Sequence, residues 1–195
     1  MLKEDKINDF ILINSNSINL NFIIYIKNLY LYNNKSSYKF PKLPLNENIF
    51  LNISEFENQC RFLWKNIFDS ISSASDVNKT DFFFWTKNKF PFLNLFQLND
   101  ISNDSYNNII KKSFESWYWG TGNYMCNSFS DKILKSYYNE ILYLASCEKI
   151  QLRDTFYLQM IYDEPLKNWQ YKTEKMLIIS PNNLASPKEI FDIIT

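Results

Sequence analysis

The rhythm of apolar and polar positions changes several times along the chain. Residues 10–52 read as strands. The stretch "INLNFIIYIKNLYLY" is rich in β-branched and aromatic residues, with alternation clearest at Ile24, Ile26, Tyr30 and Tyr32. Turn residues "NNKSS" follow at 33–37, and then an apolar stretch holding Pro41 and Pro44, which suit an edge or a crossing loop. An N-terminal antiparallel hairpin or small meander is the expected element.

Helical spacing then takes over. Ser54 and Glu57 form a capping-box pattern, and Phe56, Cys60, Leu63, Trp64, Ile67, Phe68 and Ile71 recur on one face. Cys60 lies within that stripe and reads as a packed thiol. The aromatic run at 82–96, interrupted by Pro91, fits an irregular segment that plugs the core or an exposed patch for a partner. Residues 104–119 read as a helix ending at Gly120, where a left-handed terminal residue is expected. A further helix carries Ile133, Leu134, Tyr137, Tyr138, Ile141, Leu142 and Ala145 on its inner face. Joined by "GTGNYMCN", the two would form an antiparallel pair.

Residues 150–162 fit helix or strand, with strand favoured over 155–162. A second strand is expected at 174–180, making a C-terminal strand pair. Ser186, Pro187 and Glu189 then form an N-cap, a first-turn proline and a capping-box acid. The expected fold is α+β: antiparallel hairpin, central helices, C-terminal strand pair and short helix, as a single domain over 1–195.

Composition narrows the function classes. The chain has 195 residues, 46% hydrophobic and 18% aromatic, which is enough apolar area for a packed core and argues against disorder. Asparagine, isoleucine, lysine, phenylalanine and tyrosine are abundant, and all have AT-rich codons, which points to a biased genome or mobile bacterial locus. Lysine plus arginine balance aspartate plus glutamate at 21 each, a poor match to nucleic acid, whose binding relies on clustered cations. The apolar runs are too short to span a membrane, and the N-terminus does not read as a signal peptide. With three cysteines and no CxxC spacing, a cytoplasmic location is expected.

Chemistry is bounded most sharply by the lack of any histidine. That removes Ser-His-Asp and Cys-His nucleophilic systems and imidazole metal sites. No metal, cofactor or catalytic set is expected from the spacing of acids and thiols. "SSYK" at 36–39 matches an acyltransferase pattern without its companion motifs.

Both glycines, Gly120 and Gly122, fall between Trp117, Tyr118, Trp119 and Tyr124. A chain with asparagine to spare needs glycine where a Cβ would clash. A backbone cradle for an anion is the other reading, though the GxGxxG and GxxxxGK spacings are missing. Trp117, Tyr118, Trp119, Tyr124 and Arg153 are the expected partner-binding residues, since aromatics and arginine anchor interfaces. The expected function is a non-catalytic binding protein, in its specific form an immunity protein or inhibitor occluding a cognate toxin or effector domain. The other class is a histidine-free enzyme using dispersed carboxylates, or a nucleotide-binding module on the Gly120–Gly122 turn.

Overall fold

The structure is a computed structural model, and it describes residues 9–35, 43, 49–97, 103–152, 154–165 and 169–195. Its strands are β1 (Ile11–Ser15), β2 (Thr155–Met160) and β3 (Met176–Ile179). The helices are α1 (Ile18–Lys35), α2 (Ile53–Ser72), α3 (Val77–Thr86), α4 over 103–148 and α5 (Pro187–Ile194), with a 3₁₀ turn at Phe92–Leu95.

The expected antiparallel hairpin is overturned. Residues 18–35 are helix α1, and the only strand near the N-terminus among the described residues is β1, which pairs in parallel with β2 from Ile11↔Thr155 to Ser15↔Gln159. The reason is burial on every side. From Ser17 to Tyr30 each residue of this stretch is buried, so the helix has no polar face to mark its period. Its polar residues are bonded inside instead: the Asn21 amide donates to the Ser17 and Met160 carbonyls and accepts from Tyr162 N–H. Asn33, Asn34 and Lys35, read as a turn, are the last residues of α1, while Pro41 and Pro44 lie outside the described residues.

The C-terminal strands stand at Thr155–Met160 and Met176–Ile179, but they too run parallel, from Tyr157↔Met176 to Met160↔Ile179. Residues 161–175 separate them, enough chain for the crossover of roughly a dozen residues that parallel pairing requires. The sheet order is β1-β2-β3, with β2 in the centre.

Alternation along the strands feeds two cores. Ile13, Tyr157, Met176 and Ile178 face a cluster built from α1, α2, α3 and the first half of α4. Leu12, Phe156, Leu158, Met160, Leu177 and Ile179 face a second cluster closed by the later turns of α4 and by α5. Helices therefore cover both sheet faces, which explains why β2 and β3 are almost uniformly apolar.

The apolar stripe of α2 and all of α5 follow their sequence patterns, but the expected Ser54–Glu57 capping box is overturned, because α2 starts at Ile53 and Ser54 lies inside it. The buried residues of α2 are Phe56, Cys60, Leu63, Trp64, Ile67, Phe68 and Ile71, and its cap is Asn52, which accepts from Glu55 N–H at 3.1 Å. In α5 the Ser186 hydroxyl accepts from Glu189 N–H at 3.1 Å, with Pro187 in the first turn.

The predicted helical hairpin at "GTGNYMCN" is also overturned. α4 runs unbroken through it, with π-helical turns at Tyr106–Lys111 and Tyr118–Gly122 and right-handed dihedrals at every junction. Its buried row is Tyr106, Ile110, Phe114, Tyr118, Gly122, Cys126 and Ser130, a strict four-residue repeat. In a regular α-helix each four-residue step overshoots a turn by about 40°, so six steps drift about 240°. Each π turn absorbs one extra residue, or roughly 100°. Two of them remove most of the drift and hold the row against the core. The left-handed terminator is Lys149, with φ 57°, and not a glycine.

Candidate functional site

Parallel pairing puts the carboxyl ends of all three strands on one edge. There β1 runs into Asn16 and Ser17, β2 into Tyr162 and Asp163, and β3 into Ser180, Pro181 and Asn182. In open parallel sheets this edge is the usual place for a ligand crevice. Three hollows lie along it, and two of them flank the second π turn of α4.

Short polar side chains hold α4 to the edge. Asn14 donates to the Ser130 hydroxyl at 2.5 Å, and Asn16 donates to the Asn123 and Asn127 amide oxygens at 2.9 and 2.6 Å. The Tyr118 hydroxyl donates to the Asn16 carbonyl at 2.7 Å.

The larger hollow is an open groove of about 630 Å³. Trp117, Phe129 and Tyr162 belong to its apolar wall, and Trp117 meets Tyr162 edge-on at 4.4 Å. Gly122 lets the Trp117 ring lie directly on the helix: a Cβ there would come within 2.8 Å of it. Tyr124 and Met125 stand at the lip, 71% and 61% exposed. Asp163, held by the Asn28 amide at 2.9 Å, and Lys132 add polar groups. Burial pushes the Cys126 thiol in the same wall up to about 11, so it stays protonated at neutral pH and is a poor nucleophile.

The smaller hollow, about 200 Å³, lies between the start of α1, α3 and α4. Asp81 of α3 is 4% exposed and faces the first turn of α1. Its carboxylate accepts from the Ser17 hydroxyl at 2.7 Å, Ile18 N–H at 2.8 Å and the Asn19 amide at 2.9 Å. The end of α1 where nucleotide folds seat a phosphate is thus taken by the protein's own anion. Burial raises the Asp81 carboxyl to about 6, against the lowering effect of those hydrogen bonds.

The sequence-predicted residues separate. Trp117 and Tyr124 line the groove, whereas Tyr118 and Trp119 line the smaller hollow. Tyr118 is buried, with its hydroxyl held well above the ordinary value by desolvation first and the nearby Asp81 charge second. Trp119 is 54% exposed and meets Phe82, itself 52% exposed, edge-on at 6.3 Å. Arg153 lies outside the described residues. Of the 82–96 run, Trp85, Phe90, Phe92 and Phe96 are core while Phe82 and Phe83 face outward. Gly120 and Gly122 have negative φ inside a helix and form no anion loop.

Asp81, Phe129 and Tyr162 were not singled out by sequence reasoning. One signal was available: the four-residue repeat from Tyr106 to Ser130, which marks a helix passing straight through the glycines.

Among the described residues no group of three or more histidine, cysteine, aspartate or glutamate side chains is placed to hold a metal ion. No helix among them is long and apolar enough to cross a membrane. No protein-family model, curated protein or solved structure matches the chain.

Proposed function

We propose that the chain works by binding a partner protein, whose apolar side chain enters the α4 groove. The observation that carries this reading is the pair Tyr124–Met125, projecting into solvent at the lip of a preformed apolar groove. Large apolar groups left in water forgo about 1.5–3 kcal/mol each of burial free energy, which a partner surface would recover. Tyrosine and methionine are also among the residues enriched at interface cores. Occlusion of a toxin or effector domain is the specific form we propose. It is supported by the aromatic-rich face and by a histidine-free composition that leaves few routes to acid–base catalysis.

One observation favours a second reading, a small apolar ligand in the same groove. A volume of about 630 Å³ at the carboxyl ends of parallel strands is typical of small-molecule sites.

The test is native mass spectrometry of the chain recovered from its own cells, with photo-crosslinkers placed at Tyr124 and, as a control, at the exposed Tyr143. Protein binding predicts a stoichiometric complex crosslinked from position 124 and not from 143. Tyr124→Ala with Met125→Ser should weaken it about 30-fold, the effect of removing one hot spot worth about 2 kcal/mol. A chain recovered alone, or a complex indifferent to both substitutions, overturns the proposal. A co-purifying small mass lost in Phe129→Ala would support the second reading instead.

A further inference from the structure

The smaller hollow has an unusual make-up. Its floor carries one charged group, Asp81, and among the described residues no lysine or arginine pairs with it. All its donors are neutral: a hydroxyl, a backbone N–H and an amide. A buried anion compensated only by neutral dipoles retains a field that favours a cation.

The rest of the lining suits an organic cation. Ser15 and Asn16 belong to it, and their Oγ and Oδ1 atoms are buried without a hydrogen-bond partner. Buried unpaired oxygens in a native fold call for an explanation: Asn16 Oδ1 is an acceptor in want of a donor, and the Ser15 hydroxyl can accept as well as donate. Towards solvent the hollow is flanked by three rings in edge contact: Tyr118 on Trp119 at 5.0 Å and Trp119 on Phe82 at 6.3 Å. Ring faces attract cations and ring edges pack on a hydrocarbon stem. At roughly 30 Å³ per water-sized atom, 200 Å³ holds about seven heavy atoms.

We propose that this hollow binds a primary alkylammonium group, with the Asp81 carboxylate as counter-ion, neighbouring oxygens accepting its N–H groups, and Trp119 and Phe82 flanking its stem. A primary ammonium fits better than a quaternary one because the floor offers acceptors, which only N–H can use. The ligand is either a free short amine or a lysine side chain on another polypeptide; both present the same chemistry. This site is separate from the α4 groove and does not depend on the function proposed for it.

Binding must be pH-dependent. Only neutral groups meet the Asp81 carboxylate from α1, namely Ser17, Ile18 N–H and Asn19. From α4 the titratable neighbour is Tyr118, protonated throughout the working range. From β1 the hollow receives Ser15, and the Asp76–Lys79 pair of α3 is an exposed partnership of its own. Protonation of Asp81 below about 6 therefore removes the counter-ion and nothing nearby replaces it.

The experiment is a titration of the full chain followed by the Trp119 indole N–H signal in ¹⁵N-correlated NMR, which Trp119→Ala assigns. The probes are n-butylammonium, Nα-acetyl-lysine amide and tetramethylammonium. Saturable binding of the two primary amines is expected, with Kd about 1 mM or tighter. It should weaken roughly tenfold from about pH 8 to about pH 5 and at least about tenfold in Asp81→Asn. Should Asp81→Asn fail to fold, Trp119→Ala, an exposed position, should still weaken binding about two- to fivefold by calorimetry. The better of the two primary amines identifies the source as free amine or lysine side chain. No saturation, equal binding of tetramethylammonium, or affinity indifferent to pH overturns the proposal.

Discussion

Glycine is used at two positions in this chain, and the two differ in what they tolerate. At Gly122 the backbone is ordinary helix, φ −63° and ψ −53°, so freedom of φ is not the reason for it. Space is. A Cβ would lie 2.8 Å from the Trp117 ring, and that ring is itself hemmed in by Tyr162 at 4.4 Å and Phe114 at 6.0 Å. At Gly120 nothing lies within 4 Å of the same position. Gly120→Ala should therefore stabilise the protein by about 0.5–1 kcal/mol, the helix-propensity difference. Gly122→Ala carries the same gain, but overpacking of about 1–3 kcal/mol outweighs it. Thermal melts of the two variants should move in opposite directions, by a few degrees each. A melting temperature raised by both would mean that Trp117 yields easily and that the groove wall is soft. Close backbone approach was legible in the sequence as the reason for glycine, but not which glycine, because Trp117 reaches Gly122 only through the extra residue of the π turn.

Elements were legible in proportion to the polar surface they keep. α2 and α5 each present one wet face, so their apolar stripes stand out in the sequence, as does the Ser186 cap of α5; the Ser54–Glu57 pattern, by contrast, sits two residues past the true α2 cap, Asn52. α1 has no such face, because side chains from Ile18 to Tyr30 are enclosed on all sides, and with Asn19, Asn21, Lys27 and Asn28 buried among the apolar residues nothing polar marks the 3.6-residue period. Strand positions at 155–160 and 176–179 were readable from β-branched and aromatic composition. Their direction was not, since alternation says which face a residue takes and nothing about which strand lies beside it. α4 is obscured for a different cause: Gly120 reads as a left-handed helix end, and the four-residue repeat that carries the helix through it departs from the regular 3.6-residue spacing. A deletion series tests the account given for it. Removing exposed Thr121 takes out the extra residue of the second π turn, so both flanks keep their faces and the chain should fold, with stability changed by no more than about 2 kcal/mol. Removing Lys135, in the regular part, rotates all later residues by about 100°. Ile141 and Ala145 then leave the sheet, and the cooperative melt should be lost. Equal damage from the two deletions, read by circular dichroism, would show that the π turn does not act as a register buffer.

At the scale of the whole molecule, the edge where the strands end is also where distant parts of the chain are tied together. β1 reaches its partner β2 across some 140 residues of sequence, and Asp81 ties α3 to the turn between β1 and α1. Because that tie is a buried carboxyl, its cost depends on pH. Its proton leaves at about 6 in the folded protein against an ordinary value of 3.8, so the folded state binds the proton more tightly than the unfolded chain. The sign follows from linkage: between about pH 4 and pH 6 stability falls as pH rises, and above that window ionised Asp81 carries a penalty of roughly 3 kcal/mol. Exposed Asp76 runs the other way, its carboxyl lowered chiefly by the Lys79 backbone N–H, so a bare pH profile would mix opposing trends. Comparison with Asp81→Asn separates them. Urea denaturation of both proteins should show wild type gaining on the variant by roughly 3 kcal/mol as pH falls from about 7 to about 4. An amine seated on Asp81 stabilises the ionised form, so saturating n-butylammonium should flatten that gain from the high-pH side. A difference that stays constant, or that shrinks as pH falls, would mean that hydrogen bonds from Ser17, Ile18 and Asn19 outweigh desolvation and that the carboxylate is at ease where it is buried.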